Sequence, residues 1–275
     1  MCRVLGCVAA EPVSLRRELL EADNPLIHQS QDHDSGWGMA VYRRGEGEEP
    51  SCVRFPEAAY SDGDFQRATD MRGRIFNVHV RRATLGGLTP ENTHPFCLGS
   101  YSFSHNGTIV NFSALLEPGV AQPKGTTDSE YFFNYLMRDF DPECGVDWLR
   151  HAVVATIERS SFSGVNFLFS DGERLYAYRL GVFELHWLSR PGQLLVSSER
   201  LTDDEGWHSV QQDVLLTLDP RDPEEPHAER LVGDPLVAMA RIEPYNEGRG
   251  LRGSERGAFA AQRASQLAAA PTSAE

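Results

Sequence analysis

The chain has 275 residues, 40% apolar and 9% aromatic, enough to bury one large core. A formal net charge of −14 and a pI near 5.1 exclude a nucleic-acid partner, because such polyanions are gripped by Lys and Arg on phosphates. No apolar run approaches the roughly 20 residues of a membrane span, and no basic and apolar secretory signal opens the chain, so a cytoplasmic protein with no membrane partner is expected.

Met1-Cys2-Arg3 comes first. Removal of Met1, which a following residue as small as cysteine permits, would leave Cys2 with a thiol and a free α-amine on one Cα. A thiol of ordinary pKa, about 8.5, is mostly protonated at neutral pH, whereas an α-amine near 7.7–8.0 is partly neutral and can take the thiol proton directly or through one water. On its own Cys2 reads equally as an inert terminal thiol. The five cysteines, Cys2, Cys7, Cys52, Cys97 and Cys144, are odd in number and lack C-x-x-C spacing, which indicates neither a disulfide framework nor a zinc site. Free thiols, no metal and no cofactor are expected.

Val4 to Ala10 has the length of a strand, which would hold residue 2 at the end of a rigid element. Ser14 to Glu21 reads as a short amphipathic helix with Ser14 as its N-cap. His28 to Gly38 is a polar loop; His28, Asp32, His33 and Asp34 lack a marked third and fourth ligand for a metal. It runs into a strand, Met39 to Tyr42, and Gly36 and Gly38 around Trp37 imply close backbone approach. Asp64 to Met71 is another short helix.

Arg74 to Arg81 alternates, with Phe76, Val78 and Val80 on one face and Asn77, His79 and Arg81 on the other, the pattern of a strand buried on one side. Arg81 alone reads as a solvated strand end. The loop Leu85-Gly86-Gly87 leads to Asn92-Thr93-His94-Pro95-Phe96 and a strand, Tyr101 to His105. Asn106-Gly107 after it is a type I′ hairpin signal. It also suits an oxyanion hole, in which an amide side chain and an adjacent backbone N–H point at one developing O⁻. Thr127 caps a helix, with Glu130 completing a capping box and Asp128 favoured by the helix dipole.

A second helix, Gly145 to Ser161, stacks Val146, Leu149, Val153 and Ile157 on one stripe. Two hairpins follow: Asn166–Ser170 with Leu175–Tyr178 across Asp171-Gly172, and Phe183–Leu188 with Leu194–Ser198 across Pro191-Gly192. Val214 to Leu218 is a last strand, Asp219 to Glu225 an acidic surface loop, and 246–275 a mobile tail. Strands, two central helices and strands again fit an α+β layered fold in one domain over residues 1–245.

Four stretches together, Met1-Cys2-Arg3, His79-Val80-Arg81-Arg82-Ala83-Thr84, His105-Asn106-Gly107 and Thr127-Asp128-Ser129-Glu130, resemble the class II glutamine amidotransferases of the N-terminal nucleophile (Ntn) hydrolase superfamily. With Gly36-Trp37-Gly38 and Asn92 to Phe96, the likeness is to the stand-alone branch, which includes an ergothioneine-pathway γ-glutamyl amidohydrolase and a glutathione-degradation subunit. Where that branch shows Asp-Gly-Trp-Gly, this chain has Ser35, with Asp34 one place earlier.

The resemblance implies a four-layer αββα sandwich with Cys2 at the end of a central strand. It implies that Cys2 attacks the γ-amide carbon of a small γ-glutamyl substrate and that its amine carries the proton. Arg81 would hold the substrate α-carboxylate and Asp128 its α-ammonium, while Asn106 and Gly107 hold the oxyanion and Thr84 and His94 line or brace the pocket. Such a site would hydrolyse a γ-glutamyl amide through a Cys2 thioester. It could also be a glutaminase passing ammonia to a separate synthase, or a binding module that has lost turnover.

Overall fold

A computed structural model describes residues 2–44 and 47–242; the predicted tail lies outside the described residues. In chain order the strands are β1 (Arg3–Val13), β2 (Trp37–Tyr42), β3 (Ser51–Phe55), β4 (Gly73–Val80), β5 (Phe96–Leu98), β6 (Tyr101–Asn106) and β7 (Asn166–Ser170). They continue with β8 (Leu175–Arg179), β9 (His186–Arg190), β10 (Gln193–Ser197), β11 (His208–Ser209), β12 (Val214–Leu218) and β13 (His227–Arg230). The helices are α1 (Leu26–Gln29), α2 (Gly63–Ala68), α3 (Asp128–Arg138), α4 (Asp147–Arg159) and α5 (Pro235–Met239).

The strands form two antiparallel sheets, β11-β9-β10-β1-β4-β2-β3 and β13-β12-β8-β7-β6-β5. Three apolar clusters show how they stack. Alternation along β1 sends Leu5 and Cys7 outward, where Leu15, Leu19, Leu26 and Phe65 from the short helical segments cover the first sheet. The same alternation sends Val4 and Val8 inward against Leu168, Leu175 and Ala177 of the second sheet. The far side of that sheet packs Phe103, Phe167 and Phe169 under Phe132 and Leu136 of α3 and Leu149 and Val153 of α4. Helix, sheet, sheet and helix are thus four layers, as the resemblance implies.

Several local expectations need correction. The first helical segment is one wide turn, Arg17–Glu21, and Ser14 does not cap it. β4 is buried on both faces, not one: it lies inside a seven-stranded sheet, and Asn77 and His79 are fully buried against the second sheet. Asn106-Gly107 is not a hairpin turn, because β6 pairs with β5 and β7 and the chain runs on to a 3-10 turn, Phe112–Leu115. Cys52 and Cys97 are disulfide-bonded across 45 residues, joining edge strand β3 of one sheet to edge strand β5 of the other. Sequence spacing gives no sign of a contact that exists only where two sheet edges meet.

Gly36-Trp37-Gly38 behaves as its glycines suggest. Trp37 is buried between Phe55 and Phe65, and its indole N–H donates to Asp62, the residue that caps α2, at 2.8 Å. A Cβ on Gly38 would stand 2.2 Å from the His94 carbonyl oxygen, so the loop carrying His94 rests directly on β2.

Candidate functional site

β1 and β4 pair antiparallel with Arg3 opposite Val80 and Val4 opposite His79. Facing residues share a side of the sheet. The alternation that turns Val4 and His79 inward therefore also turns Cys2 and Arg81 toward the second sheet. The Arg82 backbone N–H donates to Cys2 Sγ at 3.4 Å, and the Arg82 carbonyl lies 3.6 Å from the same sulfur. Across the gap, the Cys2 nitrogen donates to Asn106 Oδ1 at 3.2 Å.

That bond decides the orientation of the Asn106 amide. With Oδ1 engaged as acceptor, the NH₂ is the group left to donate, and Asn106 Nδ2 is buried with no partner in the protein. Gly107 follows where the chain passes over Gly164; a Cβ at residue 107 would lie 1.9 Å from the Gly164 carbonyl oxygen. Gly107→Ala should push the end of β6 off its seat and cost about 3 kcal/mol, read as a lowered urea midpoint with an unchanged slope.

Arg81 is 2% exposed. Its Nη1 donates to Gly87 O at 3.0 Å and its Nη2 to Leu85 O at 2.8 Å and Gly86 O at 3.4 Å. A five-donor guanidinium can hold this loop and a carboxylate together. Burial lowers the Arg81 pKa, and the neighbouring Cys2 and Asp128 oppose that shift. The expectation of a solvated strand end fails.

Asp128 begins α3. Thr127 caps the helix by accepting from Glu130 N at 3.4 Å, but the Glu130 carboxylate does not close the box; it accepts from Lys124 N at 2.8 Å and Gly125 N at 2.6 Å. Asp128 Oδ2 accepts from Ile109 N at 2.7 Å. Burial nevertheless pushes its pKa from 3.8 up to about 6, with the backbone N–H groups of Ile109 and Ser129 acting against it.

At about 1.4 kcal/mol per unit, that shift makes ionised Asp128 a cost of about 3 kcal/mol to the fold. The sign follows from the raised value: the neutral acid is the state the fold prefers, so this destabilisation grows from about pH 3.8, where the unfolded acid ionises, and is complete once pH has risen through about 6. Asp128→Asn should raise the Tm at pH 7.5. If the carboxylate holds a substrate ammonium, KM for a γ-glutamyl amide should climb about tenfold per pH unit below 6 in the native enzyme, and the asparagine variant should have a high KM without that limb.

The remaining predicted residues sit differently. Thr84 is on the exposed rim, its Oγ1 3.5 Å from Thr108 Oγ1. His94 is buried and packs, with its ring tilted, against His79 with ring centroids 4.2 Å apart and against Phe96 at 4.5 Å. It braces the layer carrying Arg81. Burial holds both imidazoles far below their ordinary pKa, hence neutral.

Sequence reasoning gave Asn92 no role of its own. Its Oδ1 accepts from Thr126 N at 2.8 Å and its Nδ2 donates to Gly87 O at 3.2 Å, tying the loop that Arg81 holds to the start of the Asp128 helix. The signal available was an asparagine beside Thr93-His94-Pro95. Among the described residues no group of three or more His, Cys, Asp or Glu could hold a metal ion, and no helix is long and apolar enough to cross a membrane.

Helix, sheet, sheet and helix, with Cys2 hydrogen-bonded to Asn106 and to the Arg82 backbone where the two sheets meet, is the layering of an Ntn-type fold. Residues 1–193 match the family model for class II glutamine amidotransferases, and the chain belongs to that family of enzymes. An uncharacterised protein of Methanocaldococcus jannaschii is 34% identical over 203 residues, 69% of this chain and 54% of that protein. The match thus spans about half the length of that archaeal relative.

The γ-glutamyl-hercynylcysteine sulfoxide hydrolase of Mycolicibacterium smegmatis is 29% identical over 79% of this chain and 96% of its own. The putative glutamine amidotransferase YafJ of Escherichia coli is 26% identical, covering 69% and 76%. Among solved structures, a glutamine aminotransferase class-II domain protein from Silicibacter pomeroyi superposes with a TM-score of 0.60 at 21% identity, over 84% of this chain and all of that one.

Proposed function

We propose that this chain hydrolyses the γ-glutamyl amide bond of a small molecule through a thioester on Cys2. The observation that carries the reading is the hydrogen bond from the Cys2 nitrogen to Asn106 Oδ1 at 3.2 Å, which aims an otherwise unpartnered Nδ2 into the site. Once Met1 is removed, that nitrogen is the α-amine. It takes the thiol proton, the thiolate attacks the γ-carbonyl carbon, and Asn106 Nδ2 with the Gly107 N–H meets the oxyanion. The same proton then goes to the leaving amine.

Arg81 and Asp128 supply opposite charges for the zwitterionic glutamate head group, which fixes the carbonyl over sulfur. A binding module needs neither nucleophile nor oxyanion donors, so the Cys2 thiol and the unpartnered Asn106 Nδ2 support the enzyme reading. The relative that acts as a γ-glutamyl-conjugate hydrolase and is matched over nearly its whole length favours release of an amine over delivery of ammonia to a synthase. A panel of glutamine, glutathione and other γ-glutamyl amides, assayed for glutamate release by the Met1-trimmed protein, tests this. Comparable absence of glutamate from every member sinks the reading, and turnover of glutamine alone sinks the preference for conjugates.

A further inference from the structure

Between the two sheets a polar wedge interrupts the apolar filling. Asn77 and His79 of β4 face Ser102 and Ser104 of β6, with His94 packed against His79. The wedge opens at Asn106, which follows Ser104 on the same face of its strand, roughly 7 Å on. Among the bonds described, two of its side chains are tied across the gap: Asn77 Nδ2 donates to Ser102 Oγ at 3.3 Å and lies 3.4 Å from Leu168 O, and Asn106 Oδ1 accepts from the Cys2 nitrogen.

Seven other side-chain atoms there are buried without a protein partner: Asn77 Oδ1, both ring nitrogens of His79 and of His94, Ser104 Oγ and Asn106 Nδ2. The His79 ring lies against the His105 backbone without hydrogen-bonding geometry. Unpartnered buried donors and acceptors destabilise a fold, and seven in one place exceed what a marginally stable protein tolerates. Internal water satisfies such groups, each molecule making about three hydrogen bonds.

We infer that the wedge holds ordered water continuous with the thioester site, and that Ser104 positions the molecule that hydrolyses the γ-glutamyl thioester. This rests on the hydrolase reading above. The water oxygen bonds to the thioester carbonyl carbon and the C–S bond breaks. The water proton passes through the Cys2 amine to the departing sulfur, so that glutamate and the free thiol are restored. Ser104 is a positioning residue, since it acts on the water and touches neither sulfur nor substrate.

Ser104→Val and Ser104→Thr have the same shape and differ by one hydroxyl. In the valine variant a burst of amine release should appear, steady-state kcat should fall about tenfold or more, and a glutamyl adduct on Cys2 should accumulate by intact mass. Hydroxylamine, which intercepts the thioester from bulk solvent, should restore its turnover. The threonine variant should stay within about threefold of the native enzyme. Equal kcat in the two variants, or acylation and kcat falling together without hydroxylamine rescue, overturns the inference. If valine prevents folding, Ser104→Ala takes its place with the same readouts. A native enzyme that never carries glutamate on Cys2 overturns the hydrolase reading, and a normal burst with unchanged deacylation in the variant overturns only the water.

Discussion

Replacing Cys2 with alanine should lower kcat/KM for γ-glutamyl amide hydrolysis by at least about 10⁴-fold and leave the fold within about 1 kcal/mol of native stability. The two effects separate because Cys2 stands at the start of β1, half-buried, while the core contacts of that strand begin at Val4 and Leu5. Removing the thiol also removes the acceptor of the Arg82 N–H, a weak bond at 3.4 Å. A diazo-ketone analogue of glutamine should label the native protein once and the variant not at all. Protein that keeps Met1 should behave like the alanine variant although its thiol is intact, since its Cys2 nitrogen is an amide with no lone pair for a proton. Turnover by such a chain, verified by intact mass, would show that the amine is not the base.

How much of this was legible beforehand depended on how local each cause is. The strand at Val4, the hairpin around Asp171-Gly172 and the Thr127 cap follow from side chains within a few residues of one another, and they appear where expected. Arg81 was misread without the family resemblance because alternation gives the face of a strand and not what covers it. The polar side of β4 is buried by the second sheet, a contact set by residues about 25 positions away. Asn106-Gly107 was misread as a turn for the complementary reason. The dipeptide permits a turn, but the close approach of Gly164 and the pairing with β7 dictate what the chain does there. The Cys52–Cys97 bond and the orphaned atoms around His79 and His94 are properties of layers meeting, and no window of sequence contains them.

Asn106 offers the sharpest division between holding the nucleophile and stabilising charge, because its two amide atoms face different tasks. Oδ1 accepts from the Cys2 nitrogen, and Nδ2 is buried without a partner. Asn106→Ala removes both, and kcat should fall about 10²- to 10³-fold with KM within about threefold, the loss of one oxyanion donor being worth about 2.7–4 kcal/mol. Asn106→Asp keeps an oxygen where Oδ1 is, still able to accept from the Cys2 amine, and replaces the NH₂ by a second acceptor carrying negative charge. If the deficit came from a misplaced nucleophile, aspartate should recover most of the activity. If it comes from the oxyanion, aspartate should be as poor as alanine or worse, because a carboxylate opposes the charge that develops on the carbonyl oxygen. We expect the second result, and near-native kcat in the aspartate variant would remove Asn106 Nδ2 from the mechanism.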